Sequence, residues 1–211
     1  MATKKRATMK LHVTLTSPYA RIVRAAILEQ GLADRIEVVP ARTRQQGSPY
    51  YVVAASGRVP YLERDDGPDL EETDVICAYL DELSDRPPLT RPFAHEGWAY
   101  GRSHALARSL IDGLAVLVRE LRRPESERSP TIIAHEEARA ARLLDLWEHE
   151  IDAPVMNGAL TLAQMILWVA VDVARSMMDK SALGDRPQLA AWYARLGERP
   201  SLIVTRPPER N

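Results

Sequence analysis

Residues 15–21 read "LTSPYAR", joining the stretch "MKLHVTL" at 9–15 to "ARIVRAAILEQGL" at 20–32. The first stretch alternates in the manner of a strand, and the second has helical spacing. Ser17 stands where a helix N-cap belongs, and Pro18 suits the first helical position because its missing N–H costs nothing there. Ile22, Val23, Ala26 and Ile27 then share one face, and Gly31 follows as the C-terminal cap. A strand that runs straight into a helix leaves that helix's first N–H groups at the C-terminal edge of a sheet. The helix dipole adds positive charge at the same place, so an anion or a thiolate is stabilised there. Ser17 therefore reads either as a cap alone or as a cap whose hydroxyl faces a ligand, and the residues themselves leave both open.

Working outward, "IEVVP" at 36–40 is a second strand. "VPYLERDDGPDLEE" at 59–72 reads as two short strands about a turn at Asp66-Gly67. "TDVICAYLDEL" at 73–83 is a helix with Val75, Ile76, Tyr79 and Leu80 facing inward. The order β-α-β, an irregular piece, then β-β-α suits a small mixed sheet with helices packed on it. The proline-rich "SDRPPLTRP" at 84–92 is a linker.

Everything beyond is helical: 95–123 as one long helix or two with a bend, 131–151, the strongly apolar 161–178, and a closing piece over 187–208. Thr161 and Gln164 fit a capping box, each side chain serving the other's backbone N–H, with Leu160 and Met165 as its staple. The expected organisation is an α/β domain over 9–84 and an all-helical domain over 93–211, with 1–8 a flexible tail.

Bulk properties exclude several classes of function. Of the 211 residues, 28 are Lys or Arg and 29 are Asp or Glu, for a formal charge of −1, so no basic surface argues for a nucleic-acid partner. The basic "TKKR" near the start precedes no apolar signal core, and no apolar stretch reaches the ~20 residues that span a bilayer. The lone Cys77 rules out an internal disulfide and reads as a core residue. His95, His135 and His149 lack ligand spacing, so no metal is expected. The expectation is a cytoplasmic protein.

Two further junctions carry potential chemistry. In "GRVPY" at 57–61, Pro60 belongs at a strand entrance and is either trans or cis. A cis bond leaves the Val59 backbone groups outside the ladder, where an extended peptide could pair with them. In "EETDVI" at 71–76, Thr73 reads as the cap of the following helix. Glu72 would serve a ligand amine there, and the Thr73 hydroxyl a ligand carboxylate.

Taken together, "SPYARIVR", "GRVPYL", "LEETDVICAYLDEL", a proline-rich linker and a helical second half resemble the cytosolic glutathione S-transferases, from about Lys10 to the end. "TLAQMILW" is similar to that family's capping box, with Gln164 where the family usually carries Asp. The resemblance implies a thioredoxin-like N-terminal domain holding glutathione, an all-α C-terminal domain forming much of the electrophile's pocket, and a homodimer. It implies glutathione as co-substrate without a prosthetic group, and a detoxifying transfer to a small, hydrophobic electrophile. A glutathione-dependent isomerase or dehalogenase, or a non-catalytic interaction protein of the same fold, are the alternatives.

Position by position, the resemblance makes Ser17 the catalytic hydroxyl, as in serine-using classes such as theta, with Tyr19 in reserve. It gives Val59 to the cysteinyl backbone of glutathione with Pro60 cis, and Glu72 and Thr73 to the γ-glutamyl end. Arg58 takes the place of a frequent lysine in the approach "YYVVAASGRVP". Arg42, Arg44, Gln45 and Gln46 fall where relatives often reach the glycine carboxylate. Tyr100, His104 and Arg108, with Trp98, lie at spacings near four on the helix that lines the family's electrophile pocket.

Overall fold

A computed structural model describes residues 9–91, 93–177 and 182–208, with the backbone alone for 93–96. The tail expected at 1–8 lies outside the described residues. Along the chain run β1 (Met9–Val13), α1 (Pro18–Glu29), β2 (Ile36–Pro40), α2 (Tyr50–Val53), β3 (Tyr61–Glu63), β4 (Leu70–Glu71) and α3 (Thr73–Glu82). There follow α4 (Phe93–Leu121), α5 (Pro130–Glu150), α6 (Pro154–Asn157), α7 (Leu162–Met177), α8 (Pro187–Leu196) and α9 (Pro200–Val204). The chain divides into two compact units, Met1–Thr90 with Pro200–Asn211, and Arg91–Arg199.

In the first unit the sheet order is β2-β1-β3-β4. β1 pairs in parallel with β2, which requires the α1 crossover between them, and antiparallel with β3, which pairs antiparallel with β4. Leu11 stands at the centre, opposite Val38 on one side and Leu62 on the other. Leu11 and Leu62 are fully buried, as are Ile22, Val23 and Ala26 of α1. Truncating a buried leucine of this kind to alanine costs about 2–5 kcal/mol. Gly31 follows the α1 C-cap at φ +69°, and a Cβ there would meet the Arg86 guanidinium at 2.9 Å, so backbone and space both ask for glycine.

Two expectations for this unit are corrected. The inward face of α3 is Thr73, Ile76, Cys77 and Leu80, whereas Val75 is 49% exposed. The stripe at spacings of three, one and three turns Val75 outward and puts Cys77 in the core. The closing segment, expected with the helical domain to 211, groups with the first unit. α9 is tied to α1 there: buried Arg21 donates to the Leu202 carbonyl at 3.2 Å, and the Ser201 hydroxyl donates to Glu29. At the unit's other end, Asp81 accepts from Gln30 Nε2 (2.6 Å), Leu89 N–H (3.0 Å) and Thr90 N–H (2.8 Å), which ties the second half of the linker back to α3.

The second unit is helical. α4 is broken at Gly97 (φ 76°, ψ 173°), a backbone open to glycine and few others, so the expected bend lies near its start. α7 is the buried centre, with Trp168 fully enclosed. Trp168 stacks on Tyr193 at 5.0 Å between ring centroids and donates its indole N–H to the Tyr193 carbonyl at 2.9 Å. Thr161 Oγ1 accepts the Gln164 N–H at 3.4 Å, as expected of the cap. The reciprocal half is absent. The Gln164 amide is turned toward the preceding segment, where its Nε2 donates to the carbonyls of Val155 (3.1 Å) and Ala159 (3.2 Å) and satisfies those acceptors.

Candidate active site

The strand register explains how distant junctions meet. Val13, the last residue of β1, pairs with Pro40, the last of β2. Tyr61, the first of β3, pairs with His12 near the end of β1 and with Glu71 at the end of β4. The segments after β1, β2 and β4 and the one before β3 therefore emerge at one edge of the sheet. That edge collects Ser17, Arg42 and Arg44, Val59-Pro60, and Glu72-Thr73.

Ser17 caps α1. Its backbone is extended (φ −77°, ψ 122°), its Oγ accepts the Ala20 N–H at 3.2 Å, and its carbonyl accepts the Arg21 N–H at 3.0 Å. Accepting that bond occupies a lone pair and leaves the hydroxyl proton able to donate elsewhere. Cap and ligand contact are thus compatible roles for one side chain. Tyr19 lies in the first turn of the same helix and is partly buried.

The Val59–Pro60 bond is cis, and β3 begins at the next residue. Pro60 is buried and Val59 half-buried. The preceding Arg58 is held by its backbone on both sides: its N–H donates to Ser56 Oγ at 3.2 Å, and its carbonyl accepts from the Tyr50 hydroxyl. Ser56 in turn donates to Glu71 at 2.5 Å. Tyr50 is buried, and its phenol is pushed well above its ordinary value by burial first, then by Tyr61 and Glu71. It stays a neutral donor at any working pH. Beneath it, buried His12 pairs with Glu63 and lies 5.5 Å from the Tyr50 ring.

The α3 junction corrects one expectation. Thr73 is the first helical residue and buried, while Glu72 occupies the cap position without a side-chain capping bond. Glu72 adopts φ 75°, ψ 133°, a region L residues rarely enter, at a cost of order 1–3 kcal/mol. Its carboxylate is within reach of a cation: Arg58 Nη1 lies 3.5 Å from Glu72 Oε1. In the segment after β2, Arg42 and Arg44 are exposed and Arg44 sits at φ 58°. Tyr51 secures this loop by accepting the Gln45 N–H at 3.1 Å, and Ser48 donates to the Arg42 carbonyl at 2.6 Å.

A backbone edge at Val59, a carboxylate at Glu72, guanidinium groups and a hydroxyl at a helix N-terminus together suit an extended, zwitterionic, peptide-like ligand. Residues 16–83 match the family model described as glutathione S-transferase, N-terminal domain. The GST-like protein YibF of Escherichia coli K12 is 26% identical over 206 residues, covering 95% of this chain and all of the relative. A glutathione transferase family member from Pseudomonas fluorescens Pf-5, solved with bound glutathione, superposes with a TM-score of 0.86 at 26% identity, over 96% of this chain and all of that one. Residues 16–83 thus match that family's N-terminal domain, and nearly the whole chain is similar to glutathione transferase family members. A further member, from Methylobacillus flagellatus KT with glutathione bound, gives a TM-score of 0.85 at 26% identity, over 95% of this chain and 100% of its own. The mixed four-stranded sheet followed by a helical second half is the glutathione S-transferase fold.

On α4, Tyr100 is buried, His104 and Arg108 are partly buried, and the Tyr100 and His104 rings lie 6.0 Å apart. Trp98 parts company with them: it is 81% exposed, because an offset of two residues just past the Gly97 break places it on the opposite side. Among the described residues no cluster of His, Cys, Asp and Glu is placed to hold a metal ion, and no helix is long and apolar enough to cross a membrane. Sequence reasoning missed Tyr50 and Ser56 as supports of the Val59 segment. Their contacts to Arg58 span eight and two residues through an irregular loop, where no periodicity marks a partner.

Proposed function

We propose that the protein is a glutathione transferase that activates the glutathione thiol with Ser17. Glutathione lies along the sheet edge, its cysteinyl backbone on Val59 beside cis Pro60, its γ-glutamyl end at Glu72 and Thr73, with Arg58 and Tyr19 adjoining. The observation that carries this reading is the Ser17 hydroxyl, which caps α1 as an acceptor and keeps its proton to donate to sulfur.

A free thiol titrates near ~8.5, so only a few per cent is thiolate at neutral pH. Lowering this by two units takes about 2.7 kcal/mol, within reach of one charge-assisted hydrogen bond plus the helix N-terminus. The thiol proton passes to solvent. The thiolate sulfur then forms a bond to the electrophilic carbon of a small hydrophobic substrate, and the leaving group departs with the electrons of the bond it loses. The same reading gives Tyr100, His104 and Arg108 of α4 to the electrophile, makes the protein a cytoplasmic homodimer, and assigns it to detoxification.

Calorimetry with glutathione, the near-ultraviolet absorption of the bound thiolate against pH, and turnover of a chloronitrobenzene test it. Ser17→Ala should raise the bound thiol's pKa by about two units and depress turnover at neutral pH, with less effect on glutathione affinity. An unchanged titration and turnover in this variant would remove Ser17 from the chemistry. Failure of the wild type to bind glutathione would overturn the assignment as a whole.

A further inference from the structure

We infer that Arg58 is an internal stand-in for the ligand's ammonium group at Glu72, displaced on binding, and so sets the protein's preference for ligands that carry that amine. The inference rests on the glutathione-site reading above and adds to it an exchange of ion-pair partners.

Three observations point to the exchange. First, Arg58 Nη1 lies 3.5 Å from Glu72 Oε1, so the carboxylate expected to meet an amine already has a cation beside it. Second, the Arg58 main chain is pinned at both ends by Ser56 and Tyr50, whereas its side chain is 77% exposed. The guanidinium can swing while the neighbouring Val59 stays in place. Third, Glu72 is held at φ 75° at the N-cap position of α3, where its side chain makes no capping bond, and residues kept in such conformations cluster where a site requires it.

The exchange is electrostatically balanced. An ammonium replaces a guanidinium at Glu72, and the released Arg58 faces the carboxylates that a γ-glutamyl peptide brings with it. No charge is left unpaired at either stage. An exposed pair of this kind shifts an equilibrium by up to about fivefold, enough to tax the incoming amine without blocking it. A ligand with a carboxylate but no amine leaves Arg58 where it is and gains nothing from Glu72.

The test compares glutathione with its des-amino analogue, glutaryl-cysteinylglycine, by calorimetry on the wild type and on Arg58→Gln. The quantity of interest is the ratio of the two dissociation constants, which reports what the amine is worth. With the competing guanidinium gone, that ratio should rise about two- to fivefold, and Arg58→Lys should give an intermediate value. If both ligands weaken in parallel and the ratio stays constant, Arg58 is an ordinary carboxylate contact and the exchange is wrong. If the wild type binds neither ligand, the glutathione-site reading itself falls, an outcome distinct from a constant ratio.

Discussion

Tyr50 donates its hydroxyl proton to the carbonyl oxygen of Arg58, fastening α2 to the residue that precedes Val59 and cis Pro60. The bond is made by a buried phenol, so it holds the site's backbone edge from within the core. A short helix with three exposed apolar or aromatic side chains, Tyr51, Val52 and Val53, is thereby anchored at its first residue.

Tyr50→Phe should keep the ring's packing against His12 and lose only this bond. The expected stability loss is about 1 kcal/mol, the net worth of one hydrogen bond plus a partly unsatisfied carbonyl. Glutathione affinity should fall several-fold, because Val59 is then presented by a looser segment. Thermal melting and calorimetry on the same preparation check both. A fall in melting temperature with unchanged affinity would show that the Val59 segment is held by other means.

Ser17→Asp separates the two roles of Ser17. Aspartate is as good an N-cap as serine, so α1 should be unaffected, with stability within about 0.5 kcal/mol of the wild type. Its carboxylate brings like charge to the thiolate and no donor proton, so the bound thiol's pKa should rise and turnover at neutral pH should collapse. Ser17→Ala should lose about 1 kcal/mol of stability as well as activity. Turnover retained in Ser17→Asp would mean that the thiolate is held elsewhere, with Tyr19 as the next residue to change.

The β1–α1–β2 unit and the long helices α4, α5 and α7 were legible because strand alternation and helical apolar spacing are written in the residues themselves. Pro18 and Ser17 marked the α1 boundary for the same local reason. The errors fall where a tertiary partner decides. Thr73 has the chemistry of a cap, yet the strained backbone at Glu72 puts the cap one residue earlier. Gln164 could have closed a capping box, but its amide is oriented by two carbonyls of the preceding segment that accept from Nε2. α9 belongs with α1 through Arg21 and Glu29, contacts that join residues about 180 positions apart and leave no local trace. The sheet edge was foreseeable as a set of junctions, whereas Tyr50 and Ser56 were not, since nothing in "SPYYVVAASGR" tells which hydroxyl turns inward.

α8 begins without a cap of its own: Arg186 stands at the N-cap position and makes no side-chain capping bond. Buried Glu148 of α5 supplies it, accepting the N–H groups of Gln188 (3.0 Å) and Leu189 (2.8 Å). A carboxylate at a helix N-terminus also meets the positive end of the dipole. Glu148→Ala should cost about 2–3 kcal/mol and loosen α8, and Glu148→Gln, which keeps an acceptor, about 1 kcal/mol. Denaturant melts of the two variants give the ordering. Equal losses would mean that packing of the side chain, not the cap, is what α8 uses.

Acid should act on the pair that joins α4 to α5. Arg102 grips Glu150 with both terminal nitrogens, the Nη2–Oε1 contact at 2.9 Å, and this hydrogen bonding holds the Glu150 carboxyl below its ordinary 4.5, outweighing the opposing effect of burial. A carboxylate whose folded pKa is depressed adds stability that is present above its unfolded pKa and fades as the pH falls through the folded value. The side chains are 53% and 32% exposed, so water screens the pair and its worth is about 0.5 kcal/mol. Wild type should therefore lose ~1–2 °C of melting temperature more than Arg102→Gln does between pH 6 and pH 3. Above pH 6 the difference between the two proteins should be constant, since the carboxylate is then ionised in the folded and unfolded chains alike. A gap that widened above pH 6 would assign the effect to another group.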